Sequence, residues 1–168
     1  MDQHDEDQFR QLAAARSTAL LRLAVGLTQD RHLAEDLLQS TLTKAFVHWK
    51  RVRQADDPDA YLKRILVTTY LSQVRRRRVR EVLTFTVHDP APELPTYGVV
   101  DRATLLPALR KLGPKQRAVI VLRYYEDRSD ADIAALLSCS QATVRSQAMR
   151  ALATLRADPD LVTNGDLR

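Results

Sequence analysis

Apolar residues recur along this chain at the spacing of α-helices almost from end to end. Phe9, Leu12, Ala13, Leu20, Leu23, Ala24 and Leu27 fall on one face of a helix over residues 6–26, with Gly26 marking its end. Asp30 stands where an N-cap belongs. After it, Leu33, Leu37, Leu38, Thr41, Leu42, Ala45, Phe46 and Trp49 form the inward stripe of a second helix that reaches about Trp49. Glu35, Asp36, Gln39, Thr43 and Lys44 are left on its outer face. The segment 50–59 has no period and carries both signs of charge, which predicts a loop. Asp57 and Pro58 open a third helix as cap and first-turn proline, with Tyr61, Leu62, Ile65, Leu66 and Thr69 inward and Lys63, Arg64, Thr68 and Tyr70 on the surface. Residues 82–86 (VLTFT) alternate as a strand would, but no partner strand is visible, so they predict a helix end passing into coil.

Residues 87–98, VHDPAPELPTYG, break every period with three prolines and a glycine and predict a linker. Beyond it the pattern gives a helix over about 100–112, a break at Gly113–Pro114, and a helix over 115–127. Its β-branched run Val119–Ile120–Val121 fits a buried helix better than a strand, given its helical setting and the proline before it. Residues 129–156 then form a hairpin of two helices. Ser129 caps the first, about 130–137, with Ile133, Ala134 and Leu137 inward. Ser138, Cys139 and Ser140 make the turn. Val144, Ala148, Ala151, Leu152 and Leu155 face inward from the second. Its other face shows Gln141, Thr143, Arg145, Ser146 and Arg150. That is the outline of a helix-turn-helix, in which arginine can pair with guanine and glutamine with adenine. A plain helical hairpin with a solvated face would carry the same apolar stripe. Residues 157–168 are expected to fray.

The whole therefore predicts an all-α chain of two small helical domains, 1–86 and 99–168, on a flexible linker, 87–98. The 168 residues carry a net charge of +5 and a pI near 9.7, which favours a polyanionic partner. Arginine outnumbers lysine, although codon bias would do the same. Five of the six residues 75–80 (RRRRVR) are arginines beside a single acidic neighbour, Glu81. That exceeds what capping a helix end requires and suits phosphate contact. Trp49, Tyr61 and Tyr70 lie near this run, an aromatic-and-cation mixture that binds unstacked bases, though periodicity makes Trp49 and Tyr61 core residues. One cysteine, Cys139, excludes an intrachain disulfide and a cysteine-rich zinc site; it is expected to be buried in the turn. His4, His32, His48 and His88 are scattered, and no catalytic constellation or glycine-rich phosphate loop is present, so neither metal, cofactor nor enzymatic activity is expected. An acidic, polar start and the lack of a long apolar run predict a soluble, cytoplasmic protein without membrane insertion.

AEDLLQSTLTKAF (34–46) resembles region 2.2 of extracytoplasmic-function sigma factors, DPDAYLKRILVTTYLSQVRRRRVRE (57–81) resembles regions 2.3–2.4, and LGPKQRAVIVLRYYEDRSDADIAALLSCSQATVRSQAMRALATLR (112–156) resembles region 4. The likeness covers about residues 9–82 and 99–156 and is closest to the actinobacterial SigE-like group. It implies two domains, σ2 and σ4, that bind core RNA polymerase and promoter DNA. Carried over by position, Asp36, Gln39 and Thr43 would meet the clamp helices of the polymerase β′ subunit. The loop 50–57 with Lys63, Arg64, Thr68 and Tyr70 would handle the −10 strand, and Arg75, Arg76, Arg77 and Arg78 would hold nearby backbone. Gln141, Thr143, Arg145, Ser146 and Arg150 would read the −35 element. Residues 87–98, with Asp89 and Glu93, would follow the path toward the RNA exit channel. The resemblance leaves room for an anti-sigma factor as a further partner. The chain departs from the family at Ser40, Leu42, Thr68, Gln147–Ala148 and Ser138, the last standing where the turn usually has glycine. Two rivals remain on the residues alone. A repressor or activator would use only 99–168, which leaves the linker and the arginine run unused; a helical adaptor without DNA would sit badly with the basic pI.

Overall fold

The computed structural model describes residues 2–84 and 107–162. The chain divides into two compact units, Met1–Pro92 and Glu93–Arg168. The predicted linker, 87–98, and the first part of the helix expected after it lie outside the described residues.

In the first unit α1 spans Gln3–Thr28 and starts earlier than its apolar period suggests, because the Asp2 side chain accepts a hydrogen bond from the Asp5 backbone N–H at 2.8 Å. It also outlasts Gly26. Leu27 is fully buried with Leu20, Leu23 and Ala24, and only a continued helix keeps it on that stripe. The chain reverses instead at Gln29, in the left-handed region at φ 57°. There its backbone N–H donates to the Val25 carbonyl (2.8 Å) and its Nε2 to the Gly26 carbonyl (2.6 Å). Asp30 caps α2 (Arg31–Val47) as expected, accepting from the Leu33 N–H at 2.9 Å.

The second helix does not run through to Trp49. It breaks at His48, and a five-residue helix, α3 (Trp49–Arg53), follows at once, so the first part of the expected loop 50–59 is helical. The cause is burial: Trp49 and Val52, three apart, both point inward and both are buried. Phe9 of α1 meets Phe46 and Trp49 edge-on, with ring centroids 5.1 and 5.6 Å apart. Asp57 caps α4 (Pro58–Thr84), accepting from the Ala60 N–H at 3.0 Å. Helices α1, α2 and α4 pack against one another around Leu20, Leu27, Leu37, Leu62 and Leu66. Residues 82–84 of the strand-like run belong to α4; Phe85 and Thr86 lie outside the described residues.

The second unit is described from a helical turn at 107–110 with Leu109 and Leu112 buried. The Arg117 guanidinium donates to the carbonyls of Leu109 (2.8 Å), Arg110 (3.2 Å) and Leu112 (3.1 Å) at the end of this turn, where the Leu109 carbonyl also accepts from the Leu112 N–H. Helix α5 (Pro114–Ile120) begins at the predicted Gly113–Pro114 break and passes into a π-helical turn, Val121–Tyr125, that the pattern did not foretell. Val119, Ile120 and Val121 are buried, as a buried helix requires. The wider turn closes with the Glu126 N–H donating to the Val121 carbonyl at 3.2 Å, and from its middle Arg123 donates to Asp130 at 3.0 Å.

Helices α6 (Asp130–Leu137) and α7 (Gln141–Arg156) form the hairpin with the predicted bounds and the predicted Ser129 cap, and Ser140, read as part of the turn, caps the second helix. Ser129 accepts from the Asp132 N–H and Ser140 from the Thr143 N–H, both at 3.1 Å. Cys139 is half-buried rather than buried. The expected fraying after residue 156 does not begin there. A short helix, α8 (Pro159–Val162), packs on α7 with Leu161 buried, and the buried Asp158 carboxylate lies 2.8 Å from Lys111 Nζ. This hydrogen-bonded pair lowers the Asp158 pKa and raises that of Lys111. Residues 163–168 lie outside the described residues. Among the described residues no helix is long and apolar enough to cross a membrane.

The turn between α6 and α7 is strained. Ser138 is left-handed, at φ 53° and ψ 48°, where a Cβ crowds the backbone, and it is exposed, so its side chain gains no burial in return. Replacing Ser138 by Gly should stabilise the chain's second unit by about 1 kcal/mol, relief of left-handed strain outweighing the entropy of the added glycine. Urea or thermal unfolding of the full chain, followed by a probe in that unit, measures it.

Candidate nucleic-acid interface

Burial of Val144, Ala148, Ala151 and Leu155 sets the rotation of α7. Gln141, Thr143, Arg145 and Arg150 are consequently exposed, as the pattern predicted, and Ser146 is half-exposed. The Thr143 hydroxyl is engaged in the cap, 3.0 Å from Ser140 Oγ, which fixes its rotamer at the helix start. The pattern passed over Met149. It is 72% exposed on the same outer face, a large apolar group among polar ones. Its spacing from Arg145, one turn earlier, was the available signal.

On α4 the structure divides the predicted set. Arg64 and Thr68 are exposed, and the helical period carries their face on to Arg75 and Arg78, with Arg76 on its flank and Arg77, seven residues after Tyr70, on the opposite side. All four arginines are exposed. Tyr70 is not on this surface. It is 3% exposed and lies on the opposite side, where it continues the stripe of Leu62, Leu66 and Val67. Its spacing of three and four from Val67 and Leu66 marks it as core, so its assignment to the strand-handling surface is corrected. Lys63 is also less available than expected. Its side chain is 14% exposed, with Nζ 3.1 Å from Asp59 Oδ2, while Asp59 Oδ1 lies 3.6 Å from Arg16 Nε. The spacing of Asp59 and Lys63, one turn apart, announced that pair. Lys50 and Arg51 of α3 are exposed at the edge of the same unit.

Asp36, Gln39 and Thr43 are exposed together along α2, and the Thr43 hydroxyl donates back to the Gln39 carbonyl at 2.9 Å. Val47, 70% exposed, extends this stripe by one turn, an apolar end that the charge pattern did not suggest. Glu35 is drawn aside by Arg31, 2.9 Å away. The structure thus gives three polar faces on well-packed helices, one on α2, one on α4 and one on α7, that of α4 dominated by arginine and that of α7 carrying two. Among the described residues no group of histidine, cysteine and carboxylate side chains is placed to hold a metal ion.

Residues 12–80 match the description of sigma-70 region 2, and residues 102–155 that of sigma-70 region 4. An RNA polymerase sigma-E factor of Streptomyces antibioticus is 39% identical over 158 residues, 94% of this chain and 88% of that protein. The ECF RNA polymerase sigma factor SigL of Mycobacterium tuberculosis is 32% identical across 88% of this chain and 86% of its own length. Among solved structures, the sigma factor RpoE from Bartonella quintana, in complex with the anti-sigma factor NepR, superposes with a TM-score of 0.77 at 28% identity, covering 95% of this chain and 99% of that one. With both regions matched in order, and with relatives this similar along nearly their whole length, the chain belongs to the extracytoplasmic-function group of the sigma-70 family, among its SigE-like members.

Proposed function

We infer that the chain directs core RNA polymerase to promoters, and we propose which of its surfaces carry each part of that task. The observation that carries the reading is the presence, in one chain and in order, of both sigma-70 regions, each on its own helical unit. A repressor acting through a helix-turn-helix has no need of the first. Residues 1–86 are assigned to polymerase binding, −10 recognition and strand opening, 87–98 to the linker, and 99–168 to −35 recognition. The protein acts in the cytoplasm as a specificity subunit and not as an enzyme.

On α7, Gln141, Thr143, Arg145, Ser146 and Arg150 are proposed to face the −35 major groove, a role supported by their exposure on the second helix of the hairpin. On α4, Arg64 and Thr68 with residues 50–57 are assigned to the −10 strand, and Arg75 to Arg78 to the adjoining phosphates. Lys63 contributes through the Asp59 pair that steadies the start of α4 rather than as a free cation. Asp36, Gln39 and Thr43 are assigned to the β′ clamp helices, with Val47 as an apolar neighbour. RpoE was solved with the anti-sigma factor NepR, and by that likeness an anti-sigma factor is a further partner for this chain.

Replacing Arg145 by Ala should cost about 1–3 kcal/mol at one −35 base pair and relax specificity there, as read by transcription from a promoter library. An unaltered library profile would remove Arg145 from the reading face. Replacing Arg75, Arg76, Arg77 and Arg78 together by Ala should slow promoter opening and flatten the salt dependence of complex formation, by about 0.9 in log–log slope for each duplex phosphate no longer neutralised. Preferred −10 sequence should stay as it was, and a changed preference would make these arginines base readers.

The overall reading is tested by band shift and permanganate footprinting with and without core polymerase. The free protein should bind promoter DNA poorly, because nothing in it supplies the few kcal/mol per step that unstacking takes. With core, a bubble should open, and changes at Asp36 and Gln39 should abolish it while leaving the solubility and melting temperature of the full chain unchanged. Tight, specific binding by the free protein, with no bubble on adding core, would favour the repressor.

A further inference from the structure

Asp5, in the first turn of α1, accepts a hydrogen bond from Trp49 Nε1 at 3.2 Å and forms an ion pair with the Arg53 guanidinium. Both partners belong to α3, 44 and 48 positions along the chain. One turn further on, Phe9 packs edge-on against Trp49. These interactions fall on an element that cannot hold itself. α3 has five residues and no side-chain cap at its start, far short of what an isolated helix needs. Trp49 and Val52 are buried beneath it, and the Asp5 side chain keeps 19% of its surface exposed. α3 leads directly into residues 54–57, and its Lys50 and Arg51 are exposed. Asp5 and Phe9 both precede residues 12–80, the stretch that matches sigma-70 region 2.

We propose that Asp5 is a positioning residue for −10 recognition. It fixes the orientation of α3, and with it the strand-facing edge of residues 50–57. It also neutralises Arg53, so that Lys50 and Arg51 supply the charge presented to the strand. The first turn of α1 thereby acts as a brace for a recognition surface that is distant in sequence. This assignment rests on the reading that residues 50–57 contact the −10 strand.

The experiment uses the full chain with core polymerase and run-off transcription from promoters in which each −10 base is varied singly. Asp5→Ala should reduce discrimination at one or two −10 positions by about fivefold or more, the lower end of what a single base pairing contributes. Preference at −35 and the amount of core bound should not change. Asp5→Glu, which keeps the charge, should recover part of the discrimination, and amide exchange of the free protein should rise over residues 49–57 but not in α7. A uniform loss of transcripts from every −10 variant, with preference intact, would overturn the proposal and leave Asp5 as a stabilising residue only. If Asp5→Ala does not fold, Asp5→Asn keeps an acceptor for Trp49 and removes the charge; wild-type preference in that variant overturns the proposal as well. The double change Lys50→Ala and Arg51→Ala tests the underlying reading separately. Wild-type opening and preference in that protein would mean that residues 50–57 do not meet the strand, and the role of Asp5 falls with them. Lost opening there, beside unaltered preference in the Asp5 variants, would remove Asp5 alone.

Discussion

Burying one stripe of a helix fixes the direction of every other side chain on it. This constraint governs each surface of the protein that bears on its task. Val144, Ala148, Ala151 and Leu155 are buried at 3% exposure or less, so α7 cannot rotate, and Arg145 and Arg150 are held outward by the packing beneath them. On α4, Leu62, Leu66, Val67 and Tyr70 do the same for Arg64 and Thr68. The cores thus act as mountings. A substitution at Val144 or Leu66 would turn the outer face of its helix without altering any charge on it.

The joints between helices are where this arrangement demands most of the backbone. Gln29 and Ser138 both adopt the left-handed conformation, and neither is glycine. Gln29 is compensated: its side chain is buried and closes onto the Gly26 carbonyl. Among the described residues Ser138 is held by its backbone N–H to the Ala134 carbonyl, with its side chain exposed. The two reversals therefore differ in how securely they are held, and the weaker one lies next to α7.

Much of this is legible in the sequence. The period of apolar residues gives α2, α4, α6 and α7, and the caps Asp30, Asp57, Ser129 and Ser140 stand where short polar side chains announce them. The exposed faces of α2 and α7 follow from the same period. What escapes are features set by tertiary contact. Gly26 reads as a stop, but Leu27 needs the helix to continue. Residues 50–53 read as loop because their charges hide the Trp49 and Val52 pair. The hydroxyl of Tyr70 suggests surface, although its spacing from Leu66 and Val67 is that of the core. The π-helical turn at Val121–Tyr125 and the anchor from Lys111 to Asp158 have no local signal, since one depends on a register change and the other on residues 47 apart.

The last turns of α4 have a thermodynamic consequence. From Arg75 to Leu83 every residue is exposed, so helical order there draws on backbone hydrogen bonds and intrinsic propensity rather than on burial. Like charges three and four residues apart oppose that order. A row of anions laid along the arginines would cancel the repulsion and favour the coiled-up form, so helix content and anion occupancy must rise together. Because such linkage is reciprocal, a better helix former in this stretch would tighten anion binding without touching the anion. The tail of α4 is therefore a segment that bound anions would stiffen, and the ionic surroundings would set how much of that stiffness the free protein already has.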